Sequence, residues 1–217
     1  MDFEQARLNM IEQQIRPWEV LDQRTLDAFA VIHREDFMPA AYRQLALADV
    51  NIPLGHGQVT MTPKVEGRMV QSLAIGPVNH VLEVGTGCAF VTALLASQAR
   101  SVLSVELFPD FTEAAGPRLA RCGVSNVVLR TGDASAGWPA EAPYDAIALT
   151  GSIPEMNPGI ELQLAVGGRL FAIVGQSPVM EAMLITRVGE MEWSRELLFE
   201  TELPPLLGLP PQRRFRF

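Results

Sequence analysis

Lysine is almost missing from this 217-residue chain: of its 17 basic residues only Lys64 is a lysine, and the others are arginines. The arginines are scattered and the formal net charge is −8. The chain therefore lacks the clustered positive charge that binding to nucleic acid or to an anionic membrane demands, and neither partner is expected. Its one basic cluster, Arg213, Arg214 and Arg216 alternating with Phe215 and Phe217, is shorter than a lipid-binding polybasic run and reads as a solvated or docked tail. Cysteine is equally sparse. Cys88 and Cys122 make no disulfide framework, and His33, His56 and His80 are too dispersed to complete a metal site, so a cytoplasmic protein without a structural metal is expected. No apolar run approaches the ~18 residues of a membrane span. The acidic start Met1-Asp2-Phe3-Glu4 lacks the basic region of a secretory signal.

What the chain does have is 48% hydrophobic against 19% charged residues, enough for one large α/β core. Ala6, Met10, Ile11 and Ile15 recur at helical spacing, as do Leu26, Phe29, Ala30 and His33, with Pro17 between the two helices and Asp22 as N-cap of the second. Residues 51–58 are rich in turn formers and read as a loop with a short strand, followed by a helix from Pro63 to Leu73. From residue 80 onward short apolar strands alternate with helices: Val81 to Val84, Ser101 to Glu106, Asn126 to Arg130, Asp145 to Leu149 and Arg169 to Val174. That alternation implies parallel βαβ units. Val179 to Val188 and Trp193 to Thr201 lack an intervening helix, and Gly189-Glu190 supplies a turn, so they read as an antiparallel pair closing one sheet edge. The expected fold is α/β: a three-layer, doubly wound, mostly parallel sheet forming a single domain. Residues 1–75 would be a helical cap and active-site loop, and residues 76–217 the nucleoside-binding core.

The stretch Val81-Leu82-Glu83-Val84-Gly85-Thr86-Gly87-Cys88-Ala89-Phe90 runs from a strand through a glycine turn into an apolar helix. Glycine lets a ligand approach the backbone, and the following helix N-terminus offers free N–H groups. Glu106 stands at the end of the next strand, where a carboxylate can accept both hydroxyls of a ribose. Dinucleotide sites want a small sixth residue in the turn, beside a pyrophosphate. Here that residue is Phe90, which argues against NAD or FAD and leaves S-adenosylmethionine, a nucleoside without a pyrophosphate. Thr131-Gly132-Asp133-Ala134 follows the third strand, where an Asp can bond an adenine amino group. Cys88 lies in the turn but has no base placed beside it by sequence, and reads as a small packing residue rather than a nucleophile.

At these residues the chain resembles the protein-L-isoaspartate O-methyltransferases over nearly its whole length. The resemblance is carried by Met10-Ile11-Glu12-Gln13-Gln14-Ile15-Arg16, by Leu54-Gly55-His56-Gly57-Gln58, by Leu82-Glu83-Val84-Gly85-Thr86-Gly87, and by Gly137-Trp138-Pro139 with Pro143-Tyr144-Asp145-Ala146-Ile147. Gly167-Gly168-Arg169-Leu170 also fits. The resemblance implies a Rossmann-like enzyme that uses S-adenosylmethionine to methylate the α-carboxyl of L-isoaspartyl residues in damaged proteins, the first step of a repair. A monomer is expected, although no feature of the sequence discloses the oligomeric state. It implies cofactor contacts from Gln58, Val59, Glu83, Gly85, Thr86, Gly87, Glu106, Leu107, Gly132, Asp133 and Ala134. It further implies substrate contacts from His56, Thr150, Gly151 and Ser152, although the family carries alanine at two positions of the Thr150-Gly151-Ser152-Ile153-Pro154 segment.

The reaction loop departs from the pattern. The family reads Gln-Thr-Ile-Ser-x-Pro with the serine at the reacting centre, whereas this chain reads Gln58-Val59-Thr60-Met61-Thr62-Pro63. Met61 stands in the serine's place and cannot donate a hydrogen bond. Thr60 and Thr62 flank it, and because adjacent residues of an extended loop point in opposite directions both face away from the side that Met61 takes; a small shift in loop register would bring one of the two hydroxyls to the site. A carboxylate with a pKa of ~4 is already nucleophilic, so the transfer needs no general base. Catalysis then rests on in-line positioning and exclusion of water, with one lost hydroxyl costing ~3 kcal/mol. Alternatives are a methyltransferase of the same fold for another acceptor, recognised through the altered loop and Lys64, or a non-catalytic S-adenosylmethionine-binding protein.

Overall fold

The computed structural model describes residues 2–209; the Arg and Phe cluster from Arg213 to Phe217 lies outside them. Helix α1 (Phe3–Met10) is capped by the Asp2 carboxylate and runs on through a wider π-type turn, Ile11–Ile15, and a tight turn, Arg16–Trp18. Helix α2 (Gln23–Val31) starts at Asp22, whose carboxylate accepts from the Thr25 N–H at 3.0 Å. The 51–59 stretch is a small hairpin of β1 (Pro53–Gly55) and β2 (Gln58–Val59), two strands where the sequence suggests one. Helix α3 (Pro63–Leu73) begins on Pro63, whose fixed φ and missing N–H suit a first helical turn.

The remaining strands are β3 (His80–Val84), β4 (Ser101–Glu106), β5 (Val127–Thr131), β6 (Tyr144–Ile153), β7 (Leu164–Gln176), β8 (Val179–Gly189) and β9 (Glu192–Thr201). Helices α4 (Phe90–Ala96), α5 (Pro109–Arg121) and the short α6 (Pro158–Glu161) fall between them. These seven strands form one sheet in the order β5-β4-β3-β6-β7-β8-β9. The first five are parallel, and β8 and β9 extend the β7 edge antiparallel. Chain order therefore reverses at β3, with β4 on one side and β6 on the other. The crevice above that reversal, at the carboxyl ends of the strands, is where open α/β sheets bind ligands.

Strand alternation divides the core into two layers. Val81, Val102, Ala146, Ala148, Phe171 and Ile173 face the layer that contains side chains of α1 to α5. Leu82, Val84, Leu103, Ile147, Leu149 and Leu170 face the other. That second layer is covered by α6, by the loop through Trp138 and by Leu206 and Leu209 rather than by long helices. Phe90 is fully buried and meets Phe29 and Phe37 edge-on, each at 5.7 Å between ring centroids. The aromatic that argues against a dinucleotide is thus also where the N-terminal helices dock on the core. Among the described residues no helix is long and apolar enough to cross a membrane.

Candidate active site

The glycine turn leaves β3 at Val84. Gly85 has φ +95°, and a Cβ there would lie 2.3 Å from Thr150 Oγ1, so any larger residue is excluded. Thr150 Oγ1 lies 2.9 Å from the Val84 carbonyl oxygen and 2.6 Å from that of Gly85, tying β6 to the turn. Glu83 braces the turn from beneath. It is fully buried, its Oε2 accepts from Thr92 Oγ1 at 2.6 Å and Ser104 Oγ at 2.5 Å, and Ser104 Oγ in turn pairs with Thr86 Oγ1. Expected among the direct cofactor contacts, Glu83 is absent from the lining of both cavities at the turn, because alternation along β3 turns its side chain toward Thr92 on α4. Burial raises its pKa to about 8, so the carboxyl is protonated at neutral pH.

A cleft with about 580 Å³ of empty space, open solvent included, lies above the ends of β3, β4 and β5. It is lined by Gln58, Val59, Gly85, Gly87, Glu106, Leu107, Gly132, Asp133, Ala134, Thr150 and Gly151, so most of the expected contacts do converge. Glu106 is buried, with Oε2 accepting from the Gly87 N–H at 2.8 Å and Oε1 from the Phe108 N–H at 3.0 Å. Each oxygen keeps a lone pair for a ligand hydroxyl. Asp133 Oδ1 accepts from the Ser135 N–H at 2.9 Å.

Several wall residues were not anticipated. Phe108 and Phe111 line the cleft and pack edge-on at 5.5 Å, the apolar face that a purine needs. The signal for them is the Leu107-Phe108-Pro109 step directly after the acidic strand end. Leu206 and Leu207 arrive from a segment far along the chain. Ser152, expected to contact substrate, instead anchors that segment. It is fully buried, donates Oγ–H to the Leu203 carbonyl at 2.7 Å, and its backbone pairs with Pro204 and Leu206. His56 also lies off the cleft lining. It stacks on Phe108 with ring centroids 4.1 Å apart and pairs with Asp110 at 3.0 Å, which holds the Asp110 carboxyl below its ordinary pKa.

A second, smaller cavity adjoins the glycine turn, with Gly85, Thr86, Gly87 and Cys88 on one wall and Val59, Thr60, Met61 and Glu66 on the other. Burial pushes the Cys88 thiol up to about 11, which fits a packing role and opposes a nucleophilic one. Thr60 Oγ1 accepts from the Ile52 N–H at 3.0 Å and from Arg34 Nη2 at 3.1 Å. Its own proton has no acceptor among the described residues. Thr62 instead lines a separate cavity with about 640 Å³ of empty space, open solvent included, shared with Trp18, Asn51, Lys64, Glu200 and Glu202. Met61, buried, forms part of the wall of both cavities. Lys64 Nζ pairs with Asp49 at 2.6 Å and lies 4.4 Å from the Trp18 ring centroid.

Residues 5–206 match the family model for protein-L-isoaspartate(D-aspartate) O-methyltransferase. The chain belongs to this family. A protein-L-isoaspartate O-methyltransferase of Brucella anthropi is 36% identical over 208 residues, covering 95% of each chain. One from Methanoculleus marisnigri is 40% identical over 187 residues, covering 86% of this chain and 85% of that protein. In fold, the chain is similar to a structure described as a putative protein-L-isoaspartate O-methyltransferase of Plasmodium falciparum in complex with S-adenosyl-L-homocysteine. The TM-score is 0.76 at 15% identity, covering 95% of this chain and 98% of that one.

Within the protein-L-isoaspartate O-methyltransferase family the loop departure now has a geometry. Val59 and Met61 replace both hydroxyl residues of the family pattern, and both line the small cavity at the turn. Thr60 lines that cavity and Thr62 does not, so tertiary structure separates two candidates that the sequence leaves equal.

Proposed function

We propose that this chain is an S-adenosylmethionine-dependent methyltransferase that esterifies the α-carboxylate of L-isoaspartyl residues in proteins, with Thr60 supplying the hydroxyl at the reacting centre. The residues present fit the cofactor. Gly85 and Gly87 present bare backbone to the cleft, Glu106 offers two carboxylate oxygens to a diol, and Phe108 and Phe111 offer an apolar face to a purine. Asp133 stands beside them for an exocyclic amine. When bound, the cofactor supplies an electrophilic methyl group on a positively charged sulfur.

The chain's own residues do the rest. An isoaspartyl carboxylate is ionised at neutral pH and needs no base. The enzyme must hold one oxygen in line and keep water away while two opposite charges cancel. The apolar Val59 and Met61 side chains, with Leu54 on the same wall, exclude water from the small cavity. The Thr60 O–H orients the acceptor by donating a hydrogen bond. The observation that carries the reading is Thr60 itself: it lines the cavity beside the glycine turn, and its buried hydroxyl accepts twice while its proton has no acceptor among the described residues. A hydroxyl that accepts from a guanidinium is a stronger donor than a free one.

Methyl transfer from labelled S-adenosylmethionine to paired peptides, one with L-isoaspartate and one with ordinary aspartate, tests the reading. Incorporation into the first alone is expected, whereas equal incorporation or none in either would overturn it. A second reading, the same transfer to another acceptor, is favoured by Lys64, whose ammonium lines the cavity on the far side of Met61. It predicts incorporation into neither peptide but into another carboxylate.

A further inference from the structure

Among the described residues, the most heavily bonded buried charge stands directly behind the reaction loop. Arg34 is fully buried and sits over the Phe90 ring at 5.5 Å. Its Nε donates to Glu66 Oε2 at 2.9 Å, and its Nη1 donates to the Ala46 carbonyl. Nη2 shares its protons among Glu66 Oε1 at 3.0 Å, the Met61 carbonyl at 2.8 Å and Thr60 Oγ1 at 3.1 Å. Glu66, in the first turn of α3, is 1% exposed and forms part of the wall of the same small cavity as Thr60 and Met61.

We propose that Arg34 and Glu66 are a positioning pair for methyl transfer: they fix the Thr60 hydroxyl and the Met61 backbone against the glycine turn. The inference rests on the role given to Thr60 above. Burying an ion pair costs desolvation that its attraction barely offsets, and replacing such a pair by apolar residues is often neutral for stability. Net stability is therefore a poor account of why a fully buried guanidinium and carboxylate are here. Orientation is a better one. The planar fork accepts only one arrangement of its partners, and two of its five partner atoms belong to consecutive residues of the reaction loop. The Thr60 N–H donates to the Ile52 carbonyl at 2.9 Å, which carries the β1–β2 hairpin one residue further, and the fork holds the loop from its other side, at Thr60 Oγ1 and the Met61 carbonyl.

Two variants test the pair. Glu66→Gln keeps the shape and removes the charge, and Arg34→Met/Glu66→Leu removes both charges so that neither is left buried alone. Three readouts are needed: thermal unfolding with S-adenosylhomocysteine titration, kcat and KM on the isoaspartyl peptide, and the methyl resonance of isotope-labelled Met61 in the S-adenosylhomocysteine complex. Both variants are expected to fold and to bind S-adenosylhomocysteine nearly as the parent does. kcat should fall about 100-fold, the cost of a misplacement near 1 Å, with KM little changed and the Met61 resonance shifted or doubled. The proposal is overturned if both variants keep the parent kcat and Met61 resonance, or if kcat falls only in step with stability while the resonance stays put. Should the parent enzyme not methylate the isoaspartyl peptide, that acceptor assignment fails on its own, and the Met61 resonance alone decides for or against the pair.

Discussion

Thr60 and Thr62 stand two residues apart yet line different cavities, and the expected chemistry follows from that. Thr60 lines the cavity beside the glycine turn, while Thr62 lines the other cavity and its buried Oγ1 has no partner among the described residues. Thr60→Val should therefore lower kcat by about 100-fold, near the ~3 kcal/mol of one lost donor, and Thr62→Val should change it less than about twofold, both measured on the isoaspartyl peptide. Glu83 makes a prediction of a different kind. Its carboxyl is neutral in the fold up to about pH 8 but ionises in the unfolded chain near 4.5. The folded state thus holds the extra proton between those values, and this group's contribution to stability is full below pH 4.5 and is lost as pH rises toward 8. Glu83→Gln, which mimics the neutral form, should flatten that loss: its thermal midpoint relative to the parent should rise between pH 5 and pH 8 in a buffer series. The role of Glu83 was missed because motif spacing marks a residue as close to the cofactor turn without saying on which side of the strand it points.

At the scale of elements, local signals carried far. Asp22 caps α2, Pro63 opens α3, and β4 spans Ser101–Glu106, all where side-chain chemistry and periodicity place them. Asp22→Ala should cost ~1 kcal/mol, because it strips the acceptor from the Thr25 N–H and Thr25 Oγ1. The expected outcome is a fall of about 2–4 °C in the thermal midpoint. Strand ends were less legible. β6 continues through Thr150 to Ile153, and β7 begins at Leu164, five residues before the expected Arg169. The extra length comes from pairing: Tyr144 finds Leu164 and Ser152 finds Ile173 across a shifted register. Such contacts between distant segments leave no period in either strand.

For the molecule as a whole, the net charge of −8 bears on encounter rather than on fold. Long-range repulsion should weaken association with an acidic peptide, so KM for an acidic isoaspartyl peptide should fall as ionic strength rises, and KM for a basic one should rise. A salt series of KM on two peptides of opposite charge checks this. The sequence by itself determined the order of strands and helices, the glycine turn and the acidic strand end of the cofactor cleft, because each depends on neighbours a few residues apart. It also brought Thr60, Met61 and Thr62 to attention without ranking them. Tertiary structure alone decided which threonine lines the cavity beside the turn, that Ser152 anchors the segment bearing Leu206, and that Arg34 meets Glu66 across 32 residues. Those outcomes depend on which side of a strand or loop becomes buried and on ion pairs closed between distant segments, and both are settled only when the layers pack.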